Sequence, residues 1–174
     1  MRNLLSIALA LIGLTLGTAH AASPLHLLAR DTQGHLTLNG VPLGVPVAAF
    51  APACQGDPTA ATAPCVVLDQ DAHGWGVGHV YGLAPVLDGA GRPVFKAATL
   101  TTNNGLIDGV VLDFADARYV KVFRDATTDV LGSTTWKDSN GVLEWHGALH
   151  GVYLVLLPEE HDPGFGVVQE DPTP

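Results

Sequence analysis

The sequence has little positive charge, few cysteines, few serines and no long apolar run after its start, and each shortage excludes something. Against 17 Asp+Glu there are only 8 Lys+Arg, a formal net charge of -9. Without a basic surface a chain cannot neutralise phosphates, which argues against nucleic acid and anionic membrane as partners. The two cysteines, Cys54 and Cys65, are too far apart for a CxxC redox motif. No segment after the first twenty-one residues approaches the run of about 20 apolar residues that spans a bilayer. Beyond that start the serines are Ser23, Ser133 and Ser139, and "LGSTTW" is not the GxSxG nucleophile elbow. No phosphate-binding glycine loop or dinucleotide fingerprint occurs, so no cofactor is expected.

The first residues are explained by export. Arg2 supplies a positive n-region, Leu4 to Leu16 an apolar core, and Ala19, His20 and Ala21 a small-x-small cleavage site. Residues 1–21 therefore read as a secretory signal peptide. Its removal takes Arg2 with it and leaves 7 minus 17, or -10. The expected location is periplasmic or extracellular, with no stable membrane insertion after cleavage. In an oxidising compartment Cys54 and Cys65 are expected to pair across "CQGDPTAATAPC".

Residues 22–158 read as one domain. Its apolar residues fall in short blocks rich in valine, threonine and aromatics, among them "CVVLD", "LIDGVVLDF", "YVKVFRD", "GVLEWHG" and "GVYLVLL". "RDTQGHL", "LDQDAHGWG", "LDGAGRPV" and "KDSNGVLEW" each place Asp shortly before Gly between apolar residues. Asp accepts backbone hydrogen bonds at the start of a turn and Gly takes the positive φ at its end. "LNGV" adds an Asn-Gly hairpin signal. The expectation is an all-β fold built from consecutive hairpins, an antiparallel sandwich or partly closed barrel of about eight to ten strands. "YVKVFRD" is read as a half-buried strand, with a helical turn at most near Ala115 to Arg118. Residues 159–174 are read as an acidic, proline-rich tail.

Three groups of residues are candidates for chemistry. The stretch "CVVLDQDAHGWGVGHVYG" places Asp69, Asp71 and Gly74 at the first, third and sixth positions of a calcium loop. His73 then stands where an oxygen ligand belongs, and Val80 where a bidentate glutamate belongs, so a hairpin turn is the expected outcome. As a strand, the same stretch puts Trp75, Val77, His79 and Tyr81 on one face and Gly76, Gly78, Val80 and Gly82 on the other. Trp75, His79 and Tyr81, with Trp145 and Trp136 elsewhere, are candidates for a ligand face, because aromatic rings stack on flat ligands. His146 and His150 are candidate metal ligands alongside Asp69 and Asp71. In an unbroken strand, however, the two histidines stand about 13 Å apart. The carboxylates Asp108, Asp113, Asp116, Asp125, Asp129 and Glu144 would serve a hydrolase if two of them faced each other across a cleft.

Three function classes follow. The first is an exported, soluble, non-catalytic β module that binds a small molecule, a glycan or a protein partner. The second is a carboxylate-based hydrolase. The third is a structural protein of the cell envelope.

Overall fold

The computed structural model describes residues 24–158 and 163–170; the expected signal peptide lies outside the described residues. A small antiparallel sheet comes first, of β1 (Leu28–Arg30), β2 (Leu36–Leu38) and β3 (Val41–Pro42). The one-turn helix α1 (Val47–Phe50) follows. An antiparallel sheet of eight strands makes up the rest: β4 (Cys65–Gln70), β5 (Gly76–Tyr81), β6 (Phe95–Asn103), β7 (Leu106–Phe114), β8 (Trp136–Lys137), β9 (Leu143–Leu149), β10 (Val152–Leu156) and β11 (Gly164–Gln169). Their order is β4-β5-β6-β7-β11-β10-β9-β8, and the sheet does not close into a barrel. The all-β expectation holds, as two antiparallel sheets of three and eight strands in hairpin order.

The four Asp-Gly turns share one geometry. Asp31, Asp71, Asp88 and Asp138 each accept, on one side-chain oxygen, the backbone N–H groups two and four residues on. The glycine three residues after each Asp has a positive φ of 74° to 92°. A tight turn closed by a left-handed glycine matches the twist of the hairpin it joins. Asn39-Gly40 and Asn104-Gly105 also have positive φ at both residues. The first is the Asn-Gly turn expected in "LNGV"; the second joins β6 to β7 and carries the same signal in "NNGL".

Register explains which face is buried. Val66, Val80, Ala98, Leu112, Phe165, Leu156 and Leu143 form one row across seven of the eight strands on the sheet's inner face. Leu68, Gly78, Leu100, Val110, Val167, Leu154 and Trp145 form the next. Leu38 and Val41 of the small sheet join the same core. The glycine at position 78 leaves room for its neighbours, since a Cβ there would lie 2.9 Å from Leu100 Cδ1.

Two expectations are corrected. "YVKVFRD" is not a strand but the start of helix α2, Arg118–Leu131. Its buried residues are Tyr119, Val120, Phe123 and Thr127, a helical spacing that places one apolar stripe against the sheet. Phe123 meets Phe114 and Phe165 at ring-centroid distances of 4.8 and 5.3 Å. Such aromatic pairs add about 0.5–1.5 kcal/mol each beyond burial. Residues 159–174 are likewise not all tail. Gly164–Gln169 forms β11, between β7 and β10 in the middle of the sheet, with Phe165 and Val167 fully buried. The apolar pair in "GFGVV" overrides the acids and prolines around it.

Outside the sheet, Asp88 fastens its hairpin to α2. The Arg92 backbone N–H, and then the Arg92 guanidinium, hold its carboxyl well below the usual carboxylate range. The Tyr119 hydroxyl donates to the same carboxylate at 3.0 Å.

Candidate functional site

The outer face of β5 is as the sequence predicts. Trp75, Val77, His79 and Tyr81 share it, and Gly76, Gly78 and Val80 face the core side. His79 and Tyr81 are brought together at one cleft of about 300 Å³. The cleft exists because two strands separate. β5 and β6 pair from Gly76 with Thr102 as far as Val80 with Ala98. A bulge at Lys96 then shifts the register of β6 against β7. The chain leaving β5 turns at Gly82, whose φ is +72° and whose Cβ, if present, would lie 2.2 Å from the Ala63 carbonyl oxygen. Leu83, Pro85 and Val86 make the far wall, and Ala98 and Leu112 line the cleft from the core side.

The polar groups at this cleft are few. Among the lining residues, those with polar side chains are His79, Tyr81, Asn39 and Lys96. Among the described residues no aspartate, glutamate, serine, threonine or cysteine lines it. Beside it on the outer face, Thr99 Oγ1 stands 3.5 Å from His79 Nδ1 and donates to Asp113 at 3.4 Å. Both contacts are longer than the roughly 2.6–3.2 Å of a close nucleophile–base hydrogen bond. Of the other carboxylates weighed for hydrolysis, Asp129 is exposed on α2 and four have local partners. Asp108 accepts from Thr101, Asp116 from the Arg118 N–H, Asp125 from Lys121, and Glu144 contacts His146.

Trp145 is corrected as a ligand residue. It is 1% exposed, and its indole N–H donates to the Gly132 carbonyl at 3.1 Å, tying β9 to the end of α2. Trp136 is exposed but lies on β8, at the opposite edge of the sheet from β4 and β5. Six strand spacings separate it from β5, roughly 29 Å along the sheet.

The metal candidates are not brought together either. Asp69 and Asp71 belong to the β4–β5 hairpin, while His146 and His150 belong to β9 and its turn, six strands away. Asp71 spends one carboxylate oxygen on the N–H groups of His73 and Trp75. His146 contacts Glu144 through Nε2 at 2.6 Å and Glu170 through Nδ1 at 3.4 Å. The two carboxylates approach opposite edges of the ring, so all three side chains cannot hold one ion. Among the described residues no group of three or more His, Cys, Asp or Glu is placed to hold a metal. Asp71→Ala should therefore cost about 0.5–2 kcal/mol through lost turn bonding. Thermal melts should show the same loss in calcium and in chelator. A calcium-dependent rise in the wild-type melting temperature that Asp71→Ala abolishes would restore the metal reading.

Cys54 and Cys65 form a disulfide with Cα atoms 4.9 Å apart, and no free cysteine remains. Among the described residues no helix is long and apolar enough to cross a membrane. No protein-family model, curated protein or solved structure matches this chain.

The sequence singled out Trp75, His79 and Tyr81 but not the opposite wall of the cleft. Leu83 to Val86 and the bulge at Lys96 carry no pattern of their own. A "YGLAP" segment leaving a strand at a glycine is the one local sign that the chain departs there.

Proposed function

We propose that this protein is an exported, non-catalytic β module that binds a small organic ligand in the cleft between the ends of β5 and β6. The observation that carries this reading is the make-up of the cleft. It is concave and mostly apolar, and His79, Tyr81 and Lys96 are among the few residues with polar side chains that line it. That is the usual composition of a small-molecule site, and about 300 Å³ is at the lower end of such sites. Among the described residues no carboxylate lines the cleft, which speaks against a carboxylate-based hydrolase there. A hollow of about 810 Å³ lies between α2 and the β8–β9 hairpin, but it is wide and abuts Pro158, the last residue of the first described stretch. The ligand favoured is flat and partly apolar, with hydrogen-bonding groups at one end, small enough to lie beside the Tyr81 ring. Export is supported by the leader-like start of the chain and by the disulfide.

Thermal-shift screening against small aromatic acids and mono- and disaccharides tests the reading. A ligand at 100 times its Kd stabilises by about 2.7 kcal/mol. That shift should vanish in Tyr81→Ala and shrink in His79→Ala. It should survive in Trp136→Ala, which is far from the cleft. A ligand whose shift is lost in Trp136→Ala and kept in Tyr81→Ala would place binding elsewhere and reject the cleft.

A further inference from the structure

At the other end of the same hairpin, β4 is the edge strand of the eight-stranded sheet. Val66 donates its N–H to Pro52 O and accepts from Cys54 N on its carbonyl, at 2.9 and 3.0 Å. Its backbone therefore points away from β5. By the period of two, the N–H and C=O groups of Leu68 and Gln70 point the same way. Neither has a backbone partner on that side among the described residues. The backbone of Asp71, by contrast, is bonded inward to Trp75. Two consecutive outward-facing positions are thus left open just where the 52–54 segment ends its cover.

The surroundings fit a polypeptide. Next to this edge, on the core side, an apolar groove of about 360 Å³ runs past Val47, Ala48, Ala51, Pro52 and Leu68. On the outer face Val67, Trp75 and Val77 are about half exposed, three large apolar residues on the two strands nearest the edge. Val67 lies diagonal to Val77 across the β4–β5 pair. Asp69 also faces outward, between Val67 and the turn. A strand added to β4 would alternate. Residues opposite Leu68 and Gln70 would point into the groove, and the residue opposite Asp69 would lie beside its carboxylate.

We propose that the β4 edge binds an extended segment of another protein by strand addition, a segment in which apolar residues alternate with Lys or Arg. Charge decides against a second copy of this chain. Edge-to-edge pairing of two copies would set Asp69 and Asp71 of one against those of the other, in a molecule of net charge -9. This edge and the cleft are separate sites, and neither depends on the other.

The test uses an end-capped peptide Val-Lys-Val-Lys-Val-Lys and amide hydrogen exchange at low salt. The Leu68 and Gln70 amides should exchange fast alone and roughly tenfold slower with the peptide. The Val67 and Asp69 amides, bonded to β5, should be slow throughout and serve as internal references. Asp69→Lys, an exposed substitution, should weaken the effect, and an N-methylated peptide should abolish it. Equal protection by Val-Glu-Val-Glu-Val-Glu would overturn the basic partner. Protection that grows with protein concentration in the absence of peptide would overturn it in favour of a second copy. Slow exchange of Leu68 and Gln70 in the dilute protein alone would show that the edge is already covered and end the proposal.

Discussion

Trp145→Ala is expected to destabilise the protein by about 3–5 kcal/mol, the cost of truncating a large buried aromatic. Trp145 has the largest side chain among the fully buried residues, and it ends the core row that runs from Leu68 across the sheet. Its removal leaves a cavity beside Leu154 and an unpaired carbonyl at Gly132, the residue that ends α2. Domains of this size have a total stability of about 5–15 kcal/mol, so the loss is a large part of the whole. A chain this long should lose about 2–4 °C in Tm per kcal/mol, or roughly 10 °C in all. Trp145→Phe should keep most of the packing and isolate the hydrogen bond at about 1 kcal/mol. Trp75→Ala and Trp136→Ala remove rings that are about half exposed, and each should stay within about 0.5 kcal/mol of wild type. Urea unfolding of the four variants checks the ranking. A small loss at Trp145 together with a large one at Trp75 would mean that the outer face, not the inner, is the packed one.

That contrast among tryptophans shows what a sequence of this kind discloses. The hairpins were legible because their turns are written locally. An Asp, two intervening residues and a Gly contain every group the turn needs, so Asp31, Asp71, Asp88 and Asp138 could be placed without knowing what surrounds them. The faces of β5 were legible for the same reason, since alternation is a property of one strand. Helix α2 was not, because "YVKVFRD" satisfies both periods over seven residues. Its four valines and aromatics favour a strand by type. Only the later Thr127, four residues after Phe123, completes the helical stripe. β11 was obscured by composition: three acids, a histidine and a proline precede it, yet "GFGVV" supplies Phe165 and Val167 to the centre of the core.

The site was legible by halves. His79 and Tyr81 could be named from alternation, but the cleft they line depends on where β5 and β6 cease to pair, and that is a relation between two segments of chain. Trp145 failed as a ligand candidate because aromatic type does not report which face of a strand is buried. The pairing of Trp145 with Leu154 decides that. His146 and His150 were not brought to Asp69 and Asp71, because β9 and the β4–β5 hairpin lie far apart in the sheet order, a relation that spacing along the chain does not report.

Gly74→Ala is expected to cost about 3 kcal/mol or more, and the same change at Gly34 or Gly91 about 1–2 kcal/mol, although all three glycines end the same kind of turn. All three have positive φ, so each alanine must bear the left-handed strain. At Gly34 and Gly91 the new Cβ would enter open space. At Gly74 it would lie 2.5 Å from the Gly105 backbone nitrogen and 2.9 Å from the Asn104 carbonyl carbon. Neither atom can move aside as a flexible side chain could. The Gly74 carbonyl is also a meeting point, accepting from the Gly105 N–H, the Thr102 hydroxyl and the Gln70 side-chain amide. Displacing it would loosen the β4–β5 turn, the β6–β7 turn and the buried Thr102 together. Equilibrium unfolding of the three alanine variants should show the gap, and hydrogen exchange should show faster opening at both turns in Gly74→Ala only. If the three variants lose equal stability, the close approach of the two turns is not a constraint on the fold, and turn strain alone explains the glycines.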